Sequence, residues 1–253
     1  MSGEPLGASN ERGLVVDGLE RVFDDKRALD GLSFQVTDGE IVALLGPNGA
    51  GKTTAMRCIA GVLLPDAGRI TIAGAPAGTV PAQAAISFLP EHPDLYPGLN
   101  IDEHLRFVAL SHALSGWRPR AEALLERFDL SEVRDQLPGS LSQGMRRKAA
   151  LSMALLHGAQ VLLLDEPFNG LDPQAAAELR AVVGDLAGQG VAVLVSTHGL
   201  DTADRIATRS VVMAAGRVVA DGTTAQLRRL AGVPDDADLE AVFLALTRSD
   251  SSV

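Results

Sequence analysis

Hydrophobic and polar positions alternate near the start of the chain, and continuous apolar runs replace this alternation further on. Segments 13–22 and 31–36 alternate apolar and polar residues, which predicts two antiparallel strands. The runs at 41–45, 161–164 and 191–195 are apolar throughout, as is typical of strands buried on both faces. Helical segments alternate with these runs. The pattern therefore predicts an α/β fold whose mostly parallel sheet is covered on both faces.

The middle of the chain is predicted to be helical. It follows the proline-dense loop 90–98, which marks a boundary between subdomains. Apolar positions at helical spacing predict helices around 101–108 and 119–128. Segments 209–213 and 217–220 are predicted edge strands around a turn. The other predicted elements are helices at 51–60, 142–156, 172–187, 224–230 and 239–246, and short strands at 69–72 and 85–89.

Composition narrows the classes of function. The chain of 253 residues is 46% hydrophobic and 21% charged, as in an ordinary protein with a sizeable core. Its formal net charge of −10 argues against general binding of nucleic acid. No apolar run is as long as a membrane-spanning helix, and the N-terminus does not resemble a signal peptide.

Cys58 is the only cysteine, so no intramolecular disulfide is expected. We expect its side chain to be buried. Together these features predict a cytoplasmic protein.

The strongest motif follows the first buried run. Residues 46–53 match the phosphate-binding pattern G-x-x-x-x-G-K-[ST] between a predicted strand and a predicted helix. Glycines let the loop turn its amides toward phosphates, and the helix N-terminus favours an anion. Lys52 is expected to reach the β- and γ-phosphates, and the Thr53 hydroxyl to bind Mg²⁺. The predicted nucleotide-binding residues of this loop are Gly46, Pro47, Asn48, Gly49, Ala50, Gly51, Lys52, Thr53 and Thr54.

Two later strands end in residues that suit phosphate chemistry. Asp165 and Glu166 follow the run at 161–164, and this strand end should lie beside the phosphate loop. Asp165 is expected to hold Mg²⁺, directly or through water, and Glu166 to accept a proton from the attacking water. His198 follows the next run and is placed to contact the γ-phosphate. The alternatives are an acidic turn cap and a structural histidine.

Phe23 is a candidate platform for a nucleotide base. It lies between the two predicted antiparallel strands, ahead of the phosphate loop. A flat ring there could stack on a base, although periodicity alone favours packing in the core. Both roles stay open from the sequence.

A further motif makes the chain resemble the nucleotide-binding subunits of ATP-binding cassette (ABC) transporters over about residues 13–230. It is similar to the family signature L-S-G-G-Q and stands before the Asp-Glu strand, as in the family. The matching segment is Leu141, Ser142, Gln143, Gly144 and Met145, of which Gln143 and Met145 depart from the pattern. In the family this helix start faces the ATP that the other subunit holds. The Ser142 hydroxyl, Gly144 and the helix dipole remain, so the resemblance implies that γ-phosphate sensing survives.

Other positions resemble family elements in the correct order. Phe23 matches the aromatic residue that stacks on adenine, and His198 matches the switch histidine. Glu91 stands where the family usually has Gln and could meet Mg²⁺ or water as an acceptor only. The segment 89–91 resembles a variant common in cassettes that drive ABC-2-type exporters. The dimer-interface loop, usually S-x-L-D, corresponds to Asn169, Gly170, Leu171 and Asp172.

The resemblance implies a phosphate-loop NTPase fold of the ABC ATPase type, with a flanking antiparallel β subdomain and an inserted helical subdomain. It implies an ABC ATPase domain at 13–230, with the insertion at roughly 91–160. The N-terminal residues 1–12 are predicted to be a disordered tail, and residues 231–253 a short helical tail. ATP and Mg²⁺ are the implied cofactors. The implied partners are a separate membrane permease and a second ABC subunit, either identical or homologous, without nucleic acid. The protein would then sit on the inner face of the cell membrane.

Two other classes of function stay open. A non-transport ABC protein could use the ATP-driven dimer as a switch on ribosomes or DNA, but such members usually carry two cassettes or a long coiled coil. A small-molecule kinase would share the phosphate loop. It would not explain the signature, the Asp-Glu pair and the switch histidine together.

Overall fold

The strands form two sheets, as the two kinds of hydrophobic pattern predict. A computed structural model of the chain describes residues 13–248. The tail expected at 1–12 and the last five residues of the expected helical tail lie outside the described residues. The strands within that range are β1 (Leu14–Phe23), β2 (Lys26–Val36), β3 (Ile41–Leu45), β4 (Ala67–Ile72), β5 (Ala75–Pro76), β6 (Ile86–Leu89), β7 (Val161–Asp165), β8 (Ala192–Thr197), β9 (Arg209–Ala214) and β10 (Arg217–Gly222).

The helices occur between these strands and at the end of the described range. They are α1 (Lys52–Ile59), α2 (Val80–Ala85), α3 (Ile101–Ser111), α4 (Arg118–Arg127), α5 (Gln143–Leu156), α6 (Pro173–Gly188), α7 (Leu200–Ile206), α8 (Thr224–Ala231) and α9 (Leu239–Arg248). Two helices, α2 and α7, were not predicted. They have only six and seven residues, fewer than the roughly 11–18 residues over which a helical pattern of apolar positions can be recognised.

The smaller sheet has the order β2-β1-β4-β5, and β1 pairs antiparallel with both β2 and β4. The predicted antiparallel strands are therefore confirmed. Leu14, Val16 and Leu19 of β1 are buried. They belong to a core cluster that also includes Met56 of α1 and Leu44 of β3, so this sheet packs over the first helix and one face of the larger sheet.

The larger sheet has the order β10-β9-β3-β8-β7-β6, and all its neighbouring pairs are parallel except β10 with β9. The mostly parallel sheet is thus confirmed. The prediction that 209–213 and 217–220 are both edge strands is wrong for the first of them. β9 lies inside the sheet between β10 and β3. Its apolar residues Val211, Val212 and Met213 are buried, as is typical of a strand that pairs on both sides, here in parallel with β3.

The central strands are buried on both faces. In β3, Val42 packs into the cluster beneath the smaller sheet, whereas Leu45 packs into a cluster with α7 and α8. In β7, Leu163 joins the first cluster, and Leu164 joins a third cluster built with α3, α4, α5 and α6. Helices and a second sheet therefore hold the strand ends in fixed positions.

Topology brings three strand ends to one edge of the larger sheet. β8 lies between β3 and β7, and all three run parallel. Leu45 is paired in register with Thr197, and Asp165 with Ser196. Because ligands bind beyond the carboxyl ends of strands in such sheets, the residues after these positions are brought to a common site.

Candidate functional site

The phosphate loop lies between β3 and α1, as predicted. Gly51 precedes the helix with φ 104°, and a Cβ there would lie 2.5 Å from the Ala28 carbonyl oxygen. A Cβ on Gly46 would likewise lie 2.7 Å from the Met213 carbonyl oxygen. The loop therefore needs glycine at both positions, since a side chain would push it away from its neighbours.

Lys52 is the first residue of α1 and is 7% exposed. Its Nζ donates to the carbonyl oxygen of Gly46 at 2.7 Å and to that of Pro47 at 3.3 Å. Burial lowers the pKa of Lys52, while the negative charges of Glu166 and Asp165 act in the opposite direction. The ammonium group is thus folded back over the loop, close to carboxylates and within reach of an anion at the helix start.

Asp165 and Glu166 are held by the neighbouring strand. Asp165 is 1% exposed and accepts a hydrogen bond from the Ser196 hydroxyl. The Glu166 amide donates to the Ser196 carbonyl oxygen and to its Oγ, both at 3.1 Å. Glu166 has φ 46°, a left-handed conformation that costs a residue with a side chain of order 1 kcal/mol or more. Strain of this kind concentrates at functional sites, where the surroundings must enforce it.

His198 contacts Glu166 directly. Its Nδ1 lies 3.0 Å from Glu166 Oε1, and the imidazole is 57% exposed whereas the carboxylate is 9% exposed. With the carboxylate ionised, Nδ1 must carry the proton of this bond, which leaves Nε2 unprotonated in the neutral ring. The pair thus combines a buried proton acceptor with a more exposed imidazole.

Phe23 ends β1 immediately before the turn of the hairpin with β2. Its side chain is 42% exposed, and the guanidinium of Arg21 lies 4.8 Å from its ring centroid. This exposure argues against the alternative role in core packing. An exposed aromatic ring suits stacking on a flat ligand.

One cavity of about 400 Å³ brings most of the predicted nucleotide and catalytic residues together. It is lined by Phe23, Lys26, Ala28, Asn48, Gly49, Gly51, Lys52, Thr53, Thr54, Glu91, Glu166 and His198. The predicted loop residues Gly46, Pro47 and Ala50 are not among its lining residues, nor is Asp165. Asp165 nevertheless precedes the lining residue Glu166, and its charge acts on Lys52, so it lies close to the cavity.

The signature segment lies away from the lining of that cavity in the described chain. Ser142 caps α5 and accepts a hydrogen bond from the Met145 amide at 3.2 Å. Leu141 is buried, and Met145 packs against the cluster of the helical region. The Gln143 amide faces the interface loop, because a Cβ on Gly170 would lie 3.0 Å from Gln143 Nε2.

The interface loop connects Glu166 with α6. Asp172 caps α6, as predicted, with its Oδ1 accepting from the Ala175 amide at 2.9 Å. Asn169 Nδ2 donates to Glu91 Oε1 at 3.3 Å. Leu171 packs against the helical cluster. The loop therefore touches both the signature segment and the residue that borders the cavity.

Sequence reasoning missed three contributors to this region. Lys26 and Ala28 line the cavity from β2, and Arg147 of α5 contacts the segments that follow β6 and β7. The position of Lys26 three residues after Phe23 in a hairpin was an available signal. The sequence contained no such signal for Arg147, because its hydrogen-bond partners are 19 to 56 positions away.

The described residues contain few groups that could hold a metal ion. No group of three or more His, Cys, Asp or Glu side chains in residues 13–248 could hold a metal ion by itself. Mg²⁺ in phosphate-transfer sites is usually bound by one or two side chains together with substrate phosphates. The Thr53 hydroxyl and the Asp165 and Glu91 carboxylates, predicted above as Mg²⁺ ligands, are oxygen groups of the type that such a site uses.

The fold and the cavity define a phosphate-loop nucleotide hydrolase. Sequence comparison gives the family: residues 29–169 match the family described as "ABC transporter". The chain is 41% identical to the daunorubicin resistance ATP-binding protein DrrA3 of Streptomyces coeruleorubidus, over 87% of this chain and 71% of that protein. It is 39% identical to the Nod factor export ATP-binding protein I of Burkholderia thailandensis, over 81% and 68% of the two chains.

Solved structures agree with this result. An ATP-binding subunit of an ABC transporter superposes with a TM-score of 0.87 at 35% identity, covering 92% of this chain and 99% of that one. The chain belongs to the ABC transporter family, in which it is an ATP-binding and ATP-hydrolysing subunit. Within residues 13–248, no helix has the length and apolar character needed to cross a membrane.

Proposed function

We propose that this subunit hydrolyses ATP in the cavity around Lys52 and thereby drives a separate membrane exporter. The observation that carries the proposal is that Lys52, Glu166 and His198 border the same cavity, beside the exposed ring of Phe23. Relatives named for drug resistance, Nod factor export and peptide export support the outward direction of transport.

In the proposed complex, adenine stacks on Phe23 and the triphosphate follows residues 46–54. Lys52 leaves its carbonyl partners to contact the β- and γ-phosphates. Thr53 and Asp165 hold Mg²⁺, with Glu91 as a further acceptor, and the ion neutralises phosphate charge. Phosphate-loop amides and the start of α1 supply the remaining positive potential.

The proposed chemistry uses the pair of side chains at the end of β7 and after β8. Glu166 accepts a proton from the water that attacks the γ-phosphate, and its buried position suits a general base. His198 donates a hydrogen bond from Nδ1–H to Glu166 and thereby orients the carboxylate. Its other nitrogen, Nε2, is then free to contact the γ-phosphate or the water.

A second subunit completes each site in this proposal. Ser142, Gly144 and the N-terminus of α5 do not border the cavity of their own chain, so we infer that they meet the ATP of a second ABC subunit, identical or homologous. The interface loop 169–172 would line the closed interface. Hydrolysis would reopen the pair. Gln143 lies beside Gly170, and Met145 packs against the helical cluster. Both side chains would therefore affect the contact with ATP indirectly, through the position of the start of α5.

The permease is proposed to dock in a groove of about 850 Å³ beside the helical region, which we infer is inserted at roughly 91–160. The proline-dense loop contributes Pro93 and Leu95, and α3 contributes Val108. Val80 of α2 also lines the groove and is 77% exposed. A groove of this size, with these apolar side chains in its wall, fits a short helix of the partner, which would hold the subunit at the inner face of the membrane.

Co-purification from detergent-solubilised membranes tests the proposal. The full chain should retain a multi-span membrane protein, and Val80→Glu should release it while leaving ATP hydrolysis intact. Leu230→Glu is a matched control, because Leu230 is 63% exposed on α8 and does not line the groove. Recovery of ribosomes or DNA in place of a membrane protein would contradict transport and favour the switch function.

A further inference from the structure

A buried arginine joins the signature helix to three segments of the site in the same subunit. Arg147 lies in α5 and is 6% exposed. One guanidinium nitrogen, Nη1, donates to the Asn169 carbonyl oxygen at 2.6 Å. The other, Nη2, donates to the carbonyl oxygens of Glu166 at 2.7 Å and Glu91 at 3.2 Å.

These three carbonyls belong to separate functional segments. Glu166 carries the proposed base, Asn169 begins the interface loop, and Glu91 borders the cavity at the joint with the helical region. Burial lowers the pKa of Arg147, and the nearby charges of Glu91 and Glu166 oppose that effect. A planar guanidinium with five fixed donors suits such bridging, whereas a lysine ammonium carries only three donors on one atom.

The conformation of Glu166 gives the contact a specific consequence. Ser196 holds its amide, Arg147 holds its carbonyl oxygen, and φ stays at 46° between the two. The peptide groups on both sides of this strained residue are therefore fixed, and so is the direction of its carboxylate. Removing one of the two anchors would let the strain relax and the base move.

We propose that Arg147 is a positioning residue that couples closure of α5 on the ATP of a second subunit to the alignment of Glu166, Asn169 and Glu91 in its own subunit. This inference rests on the proposed function, since it requires the signature segment to meet ATP across the interface. The N-terminus of the same helix also contacts the interface loop, through Gln143 at Gly170. Movement of α5 would thus reach the loop at two points.

The test compares Arg147→Met and Arg147→Lys in the full chain. Arg120→Met is the matched control, because Arg120 also donates to a carbonyl of α5, that of Leu155 at 2.9 Å, but does not border the cavity. Arg147→Met should lower kcat by roughly 10–100-fold, as displacement of a catalytic group by about 1 Å does, with KM and ATP affinity within about twofold of the parent. Arg147→Lys should recover part of the loss, and Arg120→Met should match the parent.

A double variant separates positioning from general damage. Adding Arg147→Met to Glu166→Gln should lower turnover by clearly less than the roughly 10–100-fold loss expected in the parent, because the part of the effect that passes through Glu166 is already absent. Multiplied losses, equal loss of ATP affinity and kcat, or a kcat equal to that of Arg120→Met would each overturn the inference. If Arg147→Met fails to fold, Arg147→Lys decides by the same comparisons. Parental turnover in Glu166→Gln alone would instead refute the proposed function.

Discussion

Replacing Glu166 with Gln removes the negative charge and the basicity of this side chain with little change of shape. The side chain keeps its length and volume but no longer accepts a proton at neutral pH. Two hydrogen bonds hold the backbone of residue 166: its amide donates to Ser196, and its carbonyl oxygen accepts from Arg147. Neither bond involves the side chain, so the substitution leaves both intact. The remaining oxygen of the amide can still accept the Nδ1 proton of His198. Geometry should therefore survive while the base is lost.

The substitution should lower the rate of hydrolysis without weakening the binding of ATP. Loss of a positioned general base costs roughly 10²–10⁴-fold in turnover, or about 2.7–5.4 kcal/mol of transition-state stabilisation. Nucleotide binding should not fall, because Lys52, Thr53 and Asp165 remain. Glu166 is the foremost carboxylate acting on Lys52, so its neutralisation also removes a negative charge that opposes the triphosphate. We expect ATP affinity equal to or above that of the parent.

Dimerisation gives the second readout. With the γ-phosphate uncleaved, Glu166→Gln should accumulate as an ATP-dependent dimer in size-exclusion chromatography with light scattering. Adding Ser142→Arg should abolish this dimer without preventing ATP binding, because it places bulk and positive charge at the start of α5. Parental turnover in Glu166→Gln would refute its role as base. A monomer at saturating ATP, with the permease present, would refute the two-subunit arrangement.

Three further changes test other parts of the structure. Lys52→Ala should weaken ATP by roughly 10–100-fold, the equivalent of one charge-assisted hydrogen bond, and equal affinities in calorimetry would contradict the site. Phe23→Ala should cost roughly 1–3 kcal/mol of affinity for both ATP and GTP, whereas loss of folding with unchanged affinity would make it a core residue. Burial raises the pKa of Asp102, but hydrogen bonds from two arginines lower it overall, so its contribution to stability is present above about pH 4 and lost below. Thermal melts of Asp102→Asn should therefore differ from the parent at pH 7 and converge with it as the pH falls; a constant difference would contradict the ion pairs.

The larger sheet and its ligand-binding edge could be predicted because their signals are local. Continuous apolar runs mark strands that are buried on both faces, and the phosphate pattern stands directly after one of them. The helix starts at Ser142 and Asp172 were also readable, since capping depends on residues within one turn. For these features, sequence neighbours and spatial neighbours are the same residues.

Features that depend on distant pairing could not be read in the same way. The inner position of β9 depends on its pairing with β3, far away in sequence. The contacts of Arg147 likewise join segments that only the folded chain brings together. The role of Phe23 stayed open for a related reason, because exposure of a ring depends on what packs over the hairpin. These properties depend on tertiary contacts, which the local pattern of apolar and polar residues does not predict.

Two departures from the family pattern meet in one contact. By the resemblance in sequence, Glu91 and Asn169 stand where the family usually has Gln and Ser, and here the Asn169 amide donates to the Glu91 carboxylate at 3.3 Å. A carboxylate accepts but does not donate, so its partner must supply the proton, and an amide does so. The same pair of segments is bridged by the guanidinium of Arg147, whose positive charge lies near the Glu91 carboxylate. The acidic side chain of Glu91 is thus matched by an amide and a buried cation, so the three positions form one unit that links the cavity lining, the loop 169–172 and α5.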